Sequence, residues 1–337
     1  MKSFYEFNFQ NNISDKFEII QKEIKLKKEA HGGKSLFEVL EVNYYCVWKE
    51  KNFDEEKPTI IIPTKNMSEL LAKTVANLKK NDVLSVCNVI IVDDNSDEDI
   101  FAIASECCYL RIENDKGFNF SMLNNIACLI CYKKGNNEVI FWNNDLYTKN
   151  KESLLDFLQR HRSNKSSVSG TKLLYPPKEI SFIKEEDSQN IKEFYKHVAG
   201  KWRNTTQYGG SSFLPLMKNI QTLTPFHYKR FASPEDPRVN CNKGVSCLTG
   251  ALMIVNLKDF VEVGGFNPSL SKNFQDTDLC LKIVKQGKHC YYFGKDLFFY
   301  HDESVSLSGK KIGDKQFRSD EVLFGKIWNE EIASIVL

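Results

Sequence analysis

Val139-Ile140-Phe141-Trp142-Asn143-Asn144-Asp145 is an apolar run that stops abruptly in three polar side chains. A buried strand ending at a carboxylate is how many α/β proteins present a metal ligand at the carboxyl edge of a sheet. Taken alone, Asn143-Asn144-Asp145 reads equally well as an ordinary turn. Its weight comes from position, because it closes the fourth unit of a strand-helix series that begins at Pro58.

The earlier units have the same form. Thr59-Ile60-Ile61-Ile62 is a β-branched run ending at Pro63-Thr64-Lys65-Asn66, and Leu70, Leu71, Thr74, Val75 and Leu78 follow at helical spacing. A second run, Asn88 to Val92, closes in Asp93-Asp94-Asn95-Ser96 before a short helix from Ile100 to Ala104. Tyr109 to Ile112 predicts a third strand, and Phe120 to Tyr132 a helix. This alternation predicts a mostly parallel sheet with helices on both faces, with ligands at the carboxyl edge where the polar clusters lie. Neither G-x-G-x-x-G nor G-x-x-x-x-G-K-[ST] occurs, which argues against a dinucleotide dehydrogenase or a P-loop nucleotidase.

A chain of 337 residues, 42% hydrophobic and 12% aromatic, suffices for one large α/β domain with additions or for two modest domains. The formal charge of +2 creates no broad basic field, so nucleic acid is not an expected partner. Met1 to Asn8 is too polar for a secretory signal, and no apolar run reaches the roughly 18 residues of a membrane helix. A cytoplasmic protein is expected, with peripheral contact at the inner face of a membrane left open. Of the ten cysteines, Cys128 and Cys131 form the sole C-x-x-C, inside a helical pattern with no second pair nearby. Reduced, buried thiols are expected rather than zinc or disulfides.

Outside the repeating units the pattern loosens. Residues 1–57 read as an N-terminal extension with a helical middle, marked by Phe17, Ile20, Ile24 and Leu26. Leu154 to His161 predicts a helix and Val168 to Tyr175 a strand. Residues 176–206 resemble an inserted polar excursion, and 225–247 read as a loop. Cys247 to Val255 returns to the core, Gly264-Gly265-Phe266 is a turn, and Asp276 and Asp278 open a helix. His289 to Phe293 and Leu297 to Tyr300 predict two further strands before His301, and Phe317 to Trp328 an amphipathic helix in a tail at 306–337.

Over roughly residues 58–305 this order of elements resembles the family 2 glycosyltransferases of the GT-A fold. Thr59 to Asn66 resembles the family's opening strand, and Val92-Asp93-Asp94-Asn95-Ser96 its second-strand nucleotide motif. Asn114 to Asn125, with Gly117-Phe118, resembles an Asn-x-Gly-Phe segment, and Asn143-Asn144-Asp145 stands where the family has Asp-x-Asp. Leu173-Leu174-Tyr175 and Gln207-Tyr208-Gly209-Gly210 resemble a Leu-Leu-Tyr and Gln-x-x-Gly pair split by the insertion. Thr249-Gly250-Ala251 with Gly264-Gly265-Phe266, Gln275 to Lys282, and His301-Asp302-Glu303-Ser304 resemble the acceptor-side core, the Glu-Asp-x-Asp-Leu-Cys helix and the closing His-x-Glu-Ser.

The resemblance implies a nucleotide-binding half at 58–150 and an acceptor half at 151–305. It implies a nucleoside-diphosphate sugar as donor, a saccharide or lipid-linked acceptor, and inversion at the anomeric carbon, in surface polysaccharide or glycoconjugate synthesis. Sugar transfer needs a cation for the leaving diphosphate, a base for the acceptor hydroxyl and a pocket that aligns the anomeric carbon. Asp145 and His301 are the implied ligands of Mn2+ or Mg2+, and Asp276 is the implied base. Asp94 is implied to meet the nucleoside base, with Pro63, Thr64, Lys65, Gly117, Asn125, Asn143 and Asn144 around the donor. Thr249, Gly250, Gln275 and Asp278 fall on the acceptor side.

Plainer readings stand beside these. Asp145 can cap a turn, Asp93-Asp94 can form a strand-end turn, and Asp276 and Asp278 can merely cap their helix. Asn125 suits a helix cap, and Trp328 suits either core packing or a sugar ring. Asn143 and Gln275 each lack a charge that the family motif carries, which leaves open a binding protein with weakened turnover on the same fold.

Overall fold

The computed structural model describes residues 5–8, 45–113, 117–177, 203–213, 225–302 and 315–331, and every structural statement below concerns these residues. Four parallel strands form the centre of the sheet: β3 (Thr59–Thr64), β4 (Asn88–Asp93), β5 (Cys108–Glu113) and β6 (Glu138–Trp142). They lie in the order β5-β4-β3-β6, with Thr64 beside Asp93 and Ile61 beside Phe141. Ile60 to Ile62 and Ile90 to Val92 are fully buried, because helices cover the faces of a parallel sheet. Here α1 (Ser68–Lys80) and α2 (Ile100–Ile103) follow β3 and β4, and α3 (Phe120–Lys133) packs on β3, β4 and β6.

Antiparallel strands extend this centre at both edges. On one side, β2 (Tyr45–Lys49) pairs with β5, and β1 (Tyr5–Asn8) pairs with β2. The segment before Pro58 thus joins the sheet as strands, while the helix expected around residues 17–26 lies outside the described residues. On the other side, β13 (Leu252–Asn256) separates β6 from β8 (Val168–Leu174), running antiparallel to both. Beyond β8 lie β14 (Cys290–His301) and β12 (Asn242–Val245). Two short strands attach to these, β7 (Leu146–Tyr147) to β14 and β9 (Thr206–Tyr208) to β8, and α4 (Lys151–Asn164) packs over β8 and β14.

Several sequence expectations change in this half. Residues 225–247 are not a plain loop, since β12 joins the main sheet and β11 (Pro225–His227) pairs with β10 (Ser211–Phe213). The two strands expected at 289–300 are one strand, β14, broken in register between Phe293 and Phe298, with Asp296 at φ 58°. Most of the expected insertion lies outside the described residues, as do Glu303 and Ser304. Asparagines start the helices of this region and of α3. Asn119, Asn150 and Asn256 each accept the backbone N–H three residues on, at 3.0, 2.9 and 3.1 Å. Asn256 thereby opens α5 (Leu257–Glu262).

Two further helices follow, α6 (Gln275–Lys285) and α7 (Lys315–Trp328). Phe324 of α7 stacks on Phe274 with ring centroids 5.0 Å apart, in a small second apolar cluster with Leu270, Leu281 and Trp328.

Candidate active site

The site forms where β6 ends. Asn143 donates its backbone N–H to Ala251 at 3.0 Å, continuing the pairing of Trp142 with Leu252. The chain then turns, with Leu146 N–H on the Asn143 carbonyl at 3.2 Å and the Trp142 indole on the Leu146 carbonyl at 3.0 Å. Trp142 is therefore a core staple, fully buried. The next two residues pair as β7 with the end of β14, Leu146 opposite His301. That pairing, closed by Asp302 N–H on the Asp145 carbonyl at 3.0 Å, sets His301 beside Asp145.

Asp145 and His301 are both buried, with Nε2 of His301 3.1 Å from Oδ1 of Asp145. Nδ1 of His301 faces the Gln207 carbonyl oxygen at 3.3 Å, and the Asn143 amide nitrogen lies 3.3 Å from Nε2. In its neutral form the ring therefore carries its proton on Nδ1, which leaves a lone pair on Nε2, as in histidines that ligate metals. Oδ1 of Asp145 accepts no hydrogen bond. Oδ1 of Asp145 and Nε2 of His301, whose lone pair accepts the Asn143 NH2 in this structure, are the donor atoms a cation here would take. Burial, and then the charge of Asp145, push the neighbouring Asp302 carboxyl up to about 8. No cluster of three or more His, Cys, Asp or Glu side chains able to hold a metal alone occurs among the described residues. A cation here would take few protein ligands and complete its shell from substrate phosphates, as Mg2+ commonly does.

The donor-side residues come together through the β3–β4 pairing. Asp94 is fully buried, its backbone N–H on the Thr64 carbonyl at 2.9 Å, and its carboxylate accepts from Lys65 Nζ at 3.2 Å. The Asn144 amide donates to the Thr64 hydroxyl at 3.3 Å, and the Thr64 hydroxyl donates to the Asn66 carbonyl at 3.1 Å. Asn66 and Met67 both hold left-handed φ values, 56° and 60°, so the turn after β3 is a strained one. Pro63 is buried within β3. Asp93 belongs to the scaffold instead. It accepts from Tyr109, Arg111 and the Ser96 N–H at 2.6, 2.9 and 3.0 Å, while Asp99 caps α2.

Two further residues expected near the donor make none of these hydrogen bonds. Asn125 is fully buried in α3 and exchanges two hydrogen bonds with the Phe266 backbone, at 2.8 and 2.9 Å. It braces the Gly264-Gly265-Phe266 turn rather than lining a pocket wall. Gly117 is exposed at φ 83°, and a Cβ placed there would meet nothing within 4 Å.

On the acceptor side, Asp276 is half-buried at the start of α6. Its Oδ2 accepts the Gly250 N–H at 2.8 Å and its Oδ1 the Thr277 N–H at 2.7 Å. Oδ1 also accepts the Thr277 hydroxyl at 3.4 Å, while Oδ2 keeps a second lone pair. Burial raises its pKa above the ordinary carboxylate range, against the pull of these N–H donors and of nearby His227. A Cβ at Gly250 would meet Asp276 Cβ at 3.3 Å and Phe120 Cζ at 3.5 Å, so the glycine lets the backbone approach the carboxylate. Thr249 accepts the Ala251 N–H at 3.3 Å and shapes the same bend.

Asp278 has a different task. It is buried, ion-paired with Lys282 at 3.0 Å, and accepts the Trp328 indole at 2.9 Å. Trp328 thus ties α7 to α6 and is not a sugar platform. Asp320 of α7 accepts the Lys272 and Asn273 N–H groups at 2.9 and 3.1 Å, gripping the loop that leads into α6. Phe274 in that loop sits at φ 65°, and Gln275 is buried with its Oε1 taking no hydrogen bond. Sequence reading did not single out Asp320, His227 or the bridging role of Gln207. Asp320 and His227 have no local pattern beyond a polar residue in a mixed stretch, and the Gln-x-x-Gly match at Gln207 carries no sign of the bridge.

Residues 59–215 match the family model described as glycosyl transferase family 2. No curated protein matches the chain. Among solved structures, the chain is similar to GalNAc-T7, determined with UDP, GalNAc and Mn2+, at 11% identity and a TM-score of 0.48, over 75% of this chain and 44% of that one. It is similar to the mannosyltransferase PcManGT from Pyrobaculum calidifontis, determined with GDP-Man and Mn2+, at 11% identity and a TM-score of 0.43, over 85% and 66% of the two chains. It is also similar to S. aureus TarS, residues 1–349, at 14% identity and a TM-score of 0.44, over 80% and 70%. The chain spans less than half of the first of these proteins and about two thirds of the second.

Proposed function

We propose, from the match of residues 59–215 to the model of glycosyl transferase family 2, that this chain moves a sugar from a nucleoside-diphosphate sugar to a hydroxyl of a saccharide or lipid-linked acceptor, with inversion and with Mn2+ or Mg2+ as cofactor. One observation carries the reading. The Asn143–Ala251 backbone bond brings Asp145 and His301 to one side and Asp276, through Gly250, to the other. Two carboxylates far apart in sequence and unlike in environment then share one strand end, which is how acid-base roles are separated.

In this reading Asp94, with Thr64, Lys65 and Asn144, holds the nucleoside. The acceptor hydroxyl attacks the anomeric carbon while the bond to the diphosphate oxygen breaks, and the diphosphate leaves with the electron pair. Asp276 takes the hydroxyl proton, and its raised pKa makes it the stronger base. A single displacement inverts the carbon. A cation on Asp145 and His301 would supply positive charge to the leaving diphosphate. The expected setting is surface polysaccharide or glycoconjugate synthesis on the cytoplasmic side of a membrane.

The neutral Asn143 and Gln275 favour a second reading, a sugar-nucleotide binder with weakened turnover. Donor hydrolysis and transfer across a panel of nucleotide sugars, with Mn2+ and with EDTA, decide between them. Turnover that needs Mn2+ and nearly vanishes in Asp145→Ala is the expected result. Donor binding without turnover in any condition points to the binder, and full turnover in EDTA with metal absent removes the cation from the mechanism.

A further inference from the structure

We propose that Gln207 is a positioning residue whose single amide ties the cation ligand His301 to His227 on the acceptor side. The inference rests on the reading of Asp145 and His301 as cation ligands. In the pairing of β9 with β8, Tyr208 lies opposite Leu173 and Thr206 opposite Leu174, so Gln207 is the extra residue of a bulge. Bulges commonly re-aim a side chain beside an active site. Gln207 is 1% exposed. Its carbonyl oxygen lies 3.3 Å from Nδ1 of His301, and its amide nitrogen 3.3 Å from Nδ1 of His227.

His227 is held from other directions as well. It sits on β11 opposite Ser211, and its ring lies edge-on to Tyr208 at a centroid distance of 5.1 Å. It lies near enough to Asp276 to act on that carboxylate whenever the ring is protonated, and in its neutral form it can accept from Gln207. The amide has one orientation that serves both partners as found. The carbonyl requires the proton of His301 on Nδ1, which leaves Nε2 toward Asp145. The NH2 requires a lone pair on Nδ1 of His227, which puts the proton of that ring on Nε2. Turning the amide over would reverse both tautomers at once. Proton placement at the cation ligand and at the histidine near the base is therefore set by the same group.

The test separates the two ends of the amide in the full-length chain. Mn2+ affinity is read from the electron paramagnetic resonance of the free ion with a saturating nucleoside diphosphate, which completes the cation's shell and allows no turnover. Transfer is measured separately. Gln207→Leu removes both bonds and should weaken Mn2+ binding by about ten- to a hundredfold, the usual scale for losing the partner of a metal-bound histidine. Gln207→Glu keeps an oxygen for His301 but offers His227 no donor. It should hold Mn2+ nearly as wild type does and still raise the acceptor KM or lower kcat. Wild-type Mn2+ affinity in Gln207→Leu, or wild-type transfer in Gln207→Glu, would overturn the proposal. If Gln207→Leu does not fold, Gln207→Glu alone decides. A wild-type protein that binds no Mn2+ and transfers sugar in EDTA removes the cation reading and this proposal with it, and the failure then shows in the wild type rather than in the variants.

Discussion

Two carboxylates at the ends of the parallel strands meet a cationic side chain: Asp94 lies 3.2 Å from Lys65, and the scaffold residue Asp93 lies 2.9 Å from Arg111. On the acceptor side, Asp276 is held by the neutral Gly250 and Thr277 N–H groups, with burial as the dominant influence. The residue type is the same and the surroundings are opposite. A cation beside a carboxylate favours its charged form and suits it to accept hydrogen bonds from a ligand. Burial among neutral donors favours the proton and suits the group to take one. On the proposed reading, local electrostatics divides binding from proton transfer between two regions.

The largest expected effect breaks the acceptor side of this contrast. Asp276→Asn should keep the fold and donor affinity, since Asn can still accept at the helix start, and should cut kcat by about 10² or more. Calorimetry of donor binding beside acceptor turnover checks it. Asp278→Asn is the control and should be milder in kcat. If Asp278→Asn is the inactive one, the base is misassigned. The same contrast predicts the pH profile of the wild type. Asp276 must be deprotonated to act, and its pKa is raised. kcat/KM should therefore fall tenfold per pH unit on the acid side, with its break above the ordinary carboxylate range, and that limb should vanish in Asp276→Asn.

A smaller effect is expected from the donor side. Asp94→Ala should raise the donor KM by about tenfold or more with kcat little changed, because a group that holds the nucleoside acts equally in ground and transition states. A collapse of kcat at constant KM would move Asp94 to the reacting centre and erase the division. The smallest effect sharpens the comparison from the scaffold. Trp328→Phe removes the indole donor to Asp278 and should cost about 1–3 kcal/mol of stability, the range for a bond to a charged group or for a buried acceptor left alone. Denaturant unfolding measures it, and transfer by the folded variant should stay within a few-fold of wild type.

The donor half was legible because its information is local. Each strand is a short apolar run that ends in polar residues, and Thr64, Lys65, Asp94 and Asn144 lie at those ends. Asn125 shows the limit of that legibility. A polar residue in a helix next to the expected site reads as a ligand contact, yet its amide is spent on a turn 141 residues away. The acceptor half was legible mainly in its helix start at Asp276. Its short strands β9 to β12 carry three or four residues each, too few to establish a period, and they are stabilised by pairing rather than by pattern.

By itself, then, the sequence determined the four parallel strands, the carboxyl edge on which polar groups gather, and the residue types available there, because apolar periodicity and strand-end chemistry act over a few residues. Only the tertiary structure decided which of those groups meet. Asn143 and His301 come within 3.3 Å across 158 residues because β7 pairs with β14. Asp276 acquires the Gly250 N–H because β13 runs antiparallel to β6 and delivers its preceding bend to the same edge. Contacts of this kind follow from the register of distant strands, which no stretch of the chain encodes alone.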